Sequence, residues 1–142
     1  MKILIVSQHF YPETFSINDL AFELQKRGHK VSVVAGLPNY GYKEIPKEYK
    51  KIKYEVINDV EVFRIKHFSR KESRISIILN YLSFWRNSKR FLSRFKDDYD
   101  VVFSFCMSPI IASSGAIIYR NKKKIPHLHY VMDLWPDSVV AT

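Results

Sequence analysis

The loop at 36–42 holds the side chains best suited to bind a small molecule. Asn39 and Tyr40 come shortly after the apolar, β-branched run 30–35. Amide groups hydrogen bond to hydroxyls and aromatic faces pack against apolar ring surfaces, so the combination suits a sugar. Pro38 and Asn39 are also a common turn pair, which would make 36–42 an ordinary surface loop. We favour a substrate-binding loop, with Pro38, Asn39 and Tyr40 as candidate residues.

Asp133 is a second candidate. It directly follows the apolar run 127–132 and stands before Trp135 and Pro136. Its carboxylate could accept a hydrogen bond from a ligand hydroxyl. It could equally be the N-cap of a following helix, a common position for aspartate. The residues alone leave both roles open.

Basic side chains form the third group. The chain has a net charge of +9. Segment 64–96 contains ten basic residues and only one acid, Glu72, so it accounts for the whole excess. A patch of this kind predicts a polyanionic partner: nucleic acid, anionic lipid or a phosphorylated substrate.

Most of this segment has the period of a long helix, 75–95. One face carries six large apolar residues: Tyr81, Phe84, Trp85, Phe91, Leu92 and Phe95. Basic residues occupy most of the other side. Either this is a core helix with a solvated basic face, or it lies in a membrane interface with its rings among the headgroups. On the second alternative the membrane-facing residues are Trp85, Arg86, Lys89, Arg90 and Arg94.

Other chemistry has little support. One cysteine, Cys106, excludes an internal disulfide and has no evident base partner for nucleophilic catalysis. His127 and His129 point to the same side of a strand, but no third ligand has usable spacing, so we expect no metal and no cofactor. The N-terminus lacks an export signal and no apolar run is long enough to span a bilayer, so we expect a cytoplasmic protein.

Strands and helices alternate along the chain. Apolar runs without alternation predict buried strands, and the 3.6-residue period predicts helices between them. The first strand, helix and strand fit within 35 residues, with Ser16 and Asp19 as a capping box for the helix. The order predicts one α/β domain over 1–142, Rossmann-like and doubly wound around a mainly parallel sheet. Ligands bind such sheets beyond the carboxyl ends of the strands.

Five motifs resemble glycosyltransferase family 4, particularly bacterial enzymes that build capsule and O-antigen chains. They stand in the family's order, each on the expected element. The motifs are Tyr11-Pro12-Glu13, Asn18-Asp19-Leu20-Ala21 with Lys26-Arg27-Gly28-His29-Lys30-Val31, Gly36-Leu37-Pro38-Asn39-Tyr40, Tyr81-Leu82-Ser83-Phe84 and Asp133-Leu134-Trp135-Pro136. The resemblance implies the N-terminal, acceptor-side half of a GT-B fold, with a second Rossmann-like domain that is absent from these 142 residues.

The resemblance also implies an activity and a site. A hexosyl or N-acetylhexosaminyl residue would pass from a nucleotide sugar, held mainly by the second domain, to a lipid-linked saccharide. This would occur on the inner face of the cell membrane, without a metal, and this half alone would be inactive. Relatives have a histidine near Asp133 that contacts the donor sugar, which favours a ligand role there. The residues implied in donor or acceptor binding are Phe15, Ser16, Asn18, Pro38, Asn39, Tyr40 and Asp133.

One departure from the family concerns phosphate binding. Many relatives have a Gly-Gly pair after the first strand, but this chain has no glycine from Lys2 to Arg27. A phosphate could instead meet the free amides of the helix N-terminus at Ile17–Asp19.

Two other functions compete with the transferase. A nucleic-acid-binding module would use the basic segment, but its aromatics lie on a helix rather than on a sheet platform, so we expect no nucleic acid. A dinucleotide-binding domain would need Gly-x-Gly-x-x-Gly after the first strand, and that motif is absent.

Overall fold

Six strands form one sheet in the order β3-β4-β2-β1-β5-β6. The computed structural model describes residues 1–42, 44–107 and 110–132. The strands are β1 Lys2–Ser7, β2 Lys30–Gly36, β3 Tyr54–Ile57, β4 Val60–Ile65, β5 Val101–Cys106 and β6 His127–Val131. The helices are α1 Ser16–Lys26, α2 Arg74–Arg94 and α3 Ser114–Lys123, with short 3-10 turns at Tyr49–Lys51 and Ile110–Ser113.

All neighbouring strands run parallel except β3, which is antiparallel to β4. Asn58 and Asp59 both have positive φ and join this hairpin, as the twist of a two-residue turn requires. The chain moves outward from β1 to β2 and β4, then returns past β1 to β5. The predicted doubly wound α/β fold is confirmed.

The central strands are buried on both faces, which explains why they lack alternation in the sequence. Ile3 and Ile5 pack on one side with α1, while Leu4 and Val6 pack on the other with α2 and α3. Helices on both faces of a parallel sheet produce this pattern. The carboxyl ends of β1, β2 and β4 therefore meet at one exposed edge.

Two local predictions are wrong. Ser16 is the first residue of α1 and makes no capping bond; the N-cap is Phe15, whose side chain has no acceptor. The strand before Asp133 is not buried either, because β6 is the sheet edge and Tyr130 is 52% exposed.

The long basic helix is confirmed as a core helix. On its inner face, Phe84 is 1% exposed and Leu92 is fully buried, while Phe91 and Phe95 pack against Phe63. These rings are part of the core, so the expectation that they lie among lipid headgroups is wrong. Within the described ranges, no helix is both long and apolar enough to cross a bilayer.

The outer face of α2 differs from its prediction. Its first half exposes an aliphatic stripe, and its second half is basic. The stripe consists of Ile75, Ile78, Leu79 and Leu82, which are 72%, 56%, 44% and 43% exposed. The exposed basic residues after the stripe are Arg86, Lys89, Arg90 and Arg94.

Gly36, the last residue of β2, provides a test of how tightly the chain packs at the carboxyl end of the central strands. A Cβ there would lie 2.6 Å from the Gln8 carbonyl oxygen and 2.8 Å from His67 Nε2. At Gly115 the nearest atom is Leu92 Cδ1, the end of a side chain, at 2.9 Å, and the nearest backbone atom, the Lys89 nitrogen, is 3.3 Å away. We expect Gly36→Ala to lower the free energy of unfolding by about 1–3 kcal/mol, because backbone must shift.

Gly115→Ala is the matched control. It adds the same methyl group, and the gain in helix propensity of up to about 1 kcal/mol offsets part of the strain. Urea denaturation of both variants gives the comparison. An equal or larger loss for Gly115→Ala would contradict the close approach at Gly36.

Candidate functional site

One carboxylate joins the loop after β1 to the loop after β2. Glu13 is 5% exposed, and its Oε1 accepts hydrogen bonds from the backbone amides of Asn39, at 2.7 Å, and Tyr40. Its Oε2 lies 3.0 Å from Nδ1 of the buried His9. Two loops that the sequence assigned to the same sheet edge are therefore in direct contact.

Three rings meet above this contact. The His9 ring centroid lies 5.2 Å from that of Phe15 and 5.4 Å from that of Tyr40, and the Phe15 and Tyr40 centroids are 5.3 Å apart. The Tyr40 side chain is 46% exposed. Beside it, 12–15 and 40–42 line an open pocket of about 270 Å³. Apolar ring surfaces with a few fixed polar groups are typical of ligand sites.

A buried polar network connects these loops to α2. Its centre is Asn80, which is fully buried. Asn80 Oδ1 accepts from Gln8 Nε2 at 2.6 Å, and Asn80 Nδ2 donates to Asn39 Oδ1 at 3.2 Å and to the Phe68 carbonyl at 2.6 Å. A polar residue on the core face of a helix is stable only when its groups are hydrogen bonded. Asn80 therefore fixes α2 against the site.

His67 is part of the same network. Its ring nitrogens lie 2.9 Å from the Leu37 carbonyl oxygen and 2.8 Å from that of Phe68. Burial lowers the pKa of His67 and outweighs the two carbonyl contacts, which act in the opposite direction. The ring is therefore neutral at pH 7 and adds no charge to the site.

Arg64 also has a structural position. Its Nη1 donates to the Gly36 carbonyl at 3.1 Å, its Nη2 to the Tyr11 carbonyl, and its Nε pairs with Glu55 at 2.6 Å. The residue is 4% exposed. Arg64 was counted in the basic segment, but it is buried and paired, so it is not part of the charged surface.

The other predicted residues separate into groups. Asn18 is buried, accepts from the Tyr11 amide at 3.1 Å and donates to the Glu13 carbonyl at 2.6 Å, so both ends of its side chain shape the loop. Its own amide donates to the Phe15 carbonyl at 2.9 Å and is not free for a phosphate. Ser16 is exposed. Pro38 and Asn39 are buried, whereas the next residue, Tyr40, is exposed; Asp133 lies outside the described residues.

The space between the carboxyl ends of β1 and β5 is small where the structure describes it. A cavity of about 10 Å³, room for roughly one water, lies between Gln8, His9, Cys106 and Met107. Among the described residues, no group of three or more His, Cys, Asp or Glu could hold a metal ion. Two larger spaces, of about 270 and 760 Å³, adjoin Tyr40.

Sequence reasoning missed His9, Glu13, Gln8 and Asn80. Two signals could have found them. Gln8 and His9 directly follow a buried strand, at the edge where ligands bind. Asn80 is the one amide in the run 75–82 that is otherwise mostly aliphatic, and a polar residue at a core position needs partners.

Asn80→Ala tests the network. We expect it to lower the free energy of unfolding by about 1–3 kcal/mol, because the buried side-chain amide of Gln8 loses its partner, whereas Asn39 Oδ1 keeps its hydrogen bond from the Arg70 amide. Asn87→Ala on the same helix is the control; Asn87 makes one exposed bond to the Lys66 carbonyl at 2.8 Å. Thermal and urea denaturation measure both. Similar losses in the two variants would show that the network does not stabilise the site.

Comparison with known proteins supports the same fold. Two crystal structures of the C-terminal domain of a hydrogenase from Pyrococcus furiosus superpose with a TM-score of 0.52, at 15% and 12% identity. The matches cover 91% and 90% of this chain and 90% and 89% of theirs. Identity this low shows a shared fold only. No curated protein matches the chain significantly.

A family-level match is more specific. The sequence profile of Glycosyltransferase Family 4 matches residues 15–140. This range includes α1, the loop at 36–42 (the tyrosine loop), α2 and the strands beyond it. The match covers nearly the whole chain. The chain therefore belongs to glycosyltransferase family 4.

Proposed function

We propose that this protein transfers a sugar from a nucleotide-sugar donor to a lipid-linked saccharide in the synthesis of a surface polysaccharide of the capsule or O-antigen type. Membership of the family supports sugar transfer. The observation that carries the acceptor role is the ring cluster of His9, Phe15 and Tyr40 beside two loops joined by Glu13. This is a fixed, partly aromatic surface at the edge where α/β domains bind ligands.

The chemistry requires a second set of groups. In our proposal a further α/β domain binds the nucleotide diphosphate and stabilises the charge that develops as it leaves. Tyr40 and Asn39 would hold the acceptor, and Asp133 would accept a hydrogen bond from a donor hydroxyl. The first check is the reading frame after Thr142, where we expect a second α/β domain with two spaced glutamates.

The proposal that the two domains bind different substrates gives a direct prediction. The 142-residue chain should bind common UDP-sugars no more tightly than millimolar, because most donor contacts belong to the second domain. Isothermal titration calorimetry measures this. Micromolar affinity for the chain alone would mean that the donor site is in this half.

We further propose that α2 meets the inner face of the cell membrane. The aliphatic stripe would enter the headgroup region, and the basic half of the helix would contact anionic lipid. A groove of about 440 Å³ lies between the end of β4 and the second half of α2, after the stripe along the helix. Six basic residues line it, around an apolar floor that includes Phe91: the buried Arg64, and Lys53, Lys66, Arg90, Arg94 and Lys96. Among the described residues that line this groove, none is acidic.

Trp85 contributes less than expected to such a surface. It is half-buried, its indole Nε1 is buried, and the Lys89 ammonium lies 5.6 Å from the ring centroid. The aliphatic residues Ile78 and Leu82 are the better candidates for insertion. β4 ends at the carboxyl end of the sheet, where the candidate site lies, and α2 begins a few residues later. The aliphatic first half of α2 is therefore on the same side of the molecule as the site.

Vesicle binding tests this orientation. We expect the chain to bind vesicles of anionic phospholipid, and to release them as salt rises, since exposed charges are screened over about 8–10 Å at physiological ionic strength. Changing Arg86, Arg90 and Arg94 together to Glu should abolish sedimentation with the vesicles.

The matched control changes Lys26, Arg27 and Lys30 to Glu. All three are exposed: Lys26 and Arg27 lie at the end of α1, which packs on the face of the sheet opposite α2, and Lys30 begins β2, at the amino end of the strand. The change in net charge is the same, and binding should be weakened far less. Equal loss in both variants, or preference for DNA over vesicles at the same salt concentration, would contradict the membrane proposal.

A further inference from the structure

A second, larger cleft opens on the other side of Tyr40. It has a volume of about 760 Å³ and lies between the tyrosine loop and the segment that leads into α2. Tyr40 and Tyr42 form one wall. Arg70, Lys71 and Ser73 form the other. Neither basic residue was among the predicted site residues.

Arg70 is held in place without a counter-charge. Its guanidinium carbon lies 5.5 Å from the Tyr40 ring centroid and 5.9 Å from that of Tyr81, and its Nη1 donates to the Tyr81 hydroxyl at 3.2 Å. Among the described residues, no carboxylate oxygen lies within 4.0 Å of its nitrogens. A fixed planar guanidinium with free N–H groups suits bidentate binding of a phosphate or a carboxylate.

The start of α2 adjoins the same cleft through Ser73. Ser73 is the N-cap, and its hydroxyl accepts from the Ser76 amide at 3.2 Å. The amides of Arg74 and Ile75 have no acceptor within the helix, because first-turn amides precede the hydrogen-bonding ladder. The positive end of a 21-residue helix therefore adjoins Arg70.

A buried and unsatisfied amide provides an independent indication of a ligand. Asn39 lines the cleft and is 2% exposed. Its Oδ1 accepts from the Arg70 amide at 3.3 Å, but its Nδ2 has no acceptor in the part of the chain that the structure describes. A buried donor without a partner costs free energy that an anionic ligand would recover.

The charge of the cleft is moderate. Glu72 also lines it, so Arg70 and Lys71 together give a net charge of +1 with that carboxylate. A phosphate at Arg70 would lie near this acid, and the site therefore favours a ligand that spans both cations. A diphosphate has two anionic centres and meets this requirement better than a single phosphate does.

We propose that this cleft binds a diphosphate group, and that in the protein's function the group belongs to the lipid-linked acceptor. The second half rests on the function proposed above. It is supported by the aliphatic stripe, which begins at Ile75 on the first turn of the same helix. An isoprenoid or acyl chain attached to the diphosphate would leave the cleft beside this stripe, whereas a nucleotide has no apolar chain to place there.

Calorimetric titration of the chain with inorganic pyrophosphate tests the site. We expect saturable binding that Arg70→Gln weakens at least about tenfold, because charge-assisted hydrogen bonds are lost. Arg120→Gln, on the exposed face of α3, removes the same charge and should leave the affinity unchanged. If Arg70→Gln does not fold, Lys71→Gln, at an exposed position, serves instead with a smaller expected loss. Equal binding by the Arg70 and Arg120 variants would overturn the site.

Competition identifies the source of the diphosphate. Farnesyl diphosphate below its micellar concentration should displace pyrophosphate and depend on Arg70, while UDP should displace it poorly. Stronger displacement by UDP would assign the cleft to the donor and overturn the acceptor half of the proposal. A separate result would contradict the proposed function alone. In that case the protein extended beyond Thr142 would transfer no sugar to any lipid-linked acceptor, but pyrophosphate binding would still depend on Arg70.

Discussion

The carboxylate of Glu13 determines the geometry of the ligand edge. Parallel strands bring their carboxyl ends to one edge, but the loops that follow have no ladder to hold them. Glu13 holds these two loops together. Its carboxylate accepts hydrogen bonds from two backbone amides of the tyrosine loop and contacts His9 in its own loop. Arg64 holds the same two loops from beneath through the Gly36 and Tyr11 carbonyls. Both residues are buried, so removing a hydrogen-bonding partner of either would leave a buried charge unpaired and destabilise the fold.

Much of the scaffold follows from the sequence. Strands buried on both faces are continuous apolar runs, and the helix predicted over 75–95 is α2, Arg74–Arg94. The failures have local causes. At Ser16 the capping pattern is present, but the helix begins one residue earlier than that pattern requires, so the hydroxyl lies inside the first turn. Sequence order gives the number of strands but not which one lies at the edge, which is why the burial expected for the strand at 127–132 is wrong.

The site was predictable in position but not in detail. Asn39 and Tyr40 stand out because they follow a strand and combine amide and aromatic groups. Glu13 and Asn80 do not, because their importance lies in contacts across 26 and 41 residues of sequence. On α2, the period identified the aromatic face that meets the core, but it did not reveal the aliphatic first half of the outer face. The large rings fill the core, and the smaller aliphatic residues are left outside.

The backbone of the tyrosine loop has a consequence for binding energetics. A loop of this length would ordinarily lose conformational entropy when a ligand orders it. Here the amides of Asn39 and Tyr40 are already bound to a buried carboxylate, while the Tyr40 side chain is half exposed. The main chain is preorganised and only one or two side-chain torsions are left to be fixed. A ligand at this edge therefore retains most of its contact energy as affinity, and selectivity depends on the shape of a surface that exists before the ligand arrives.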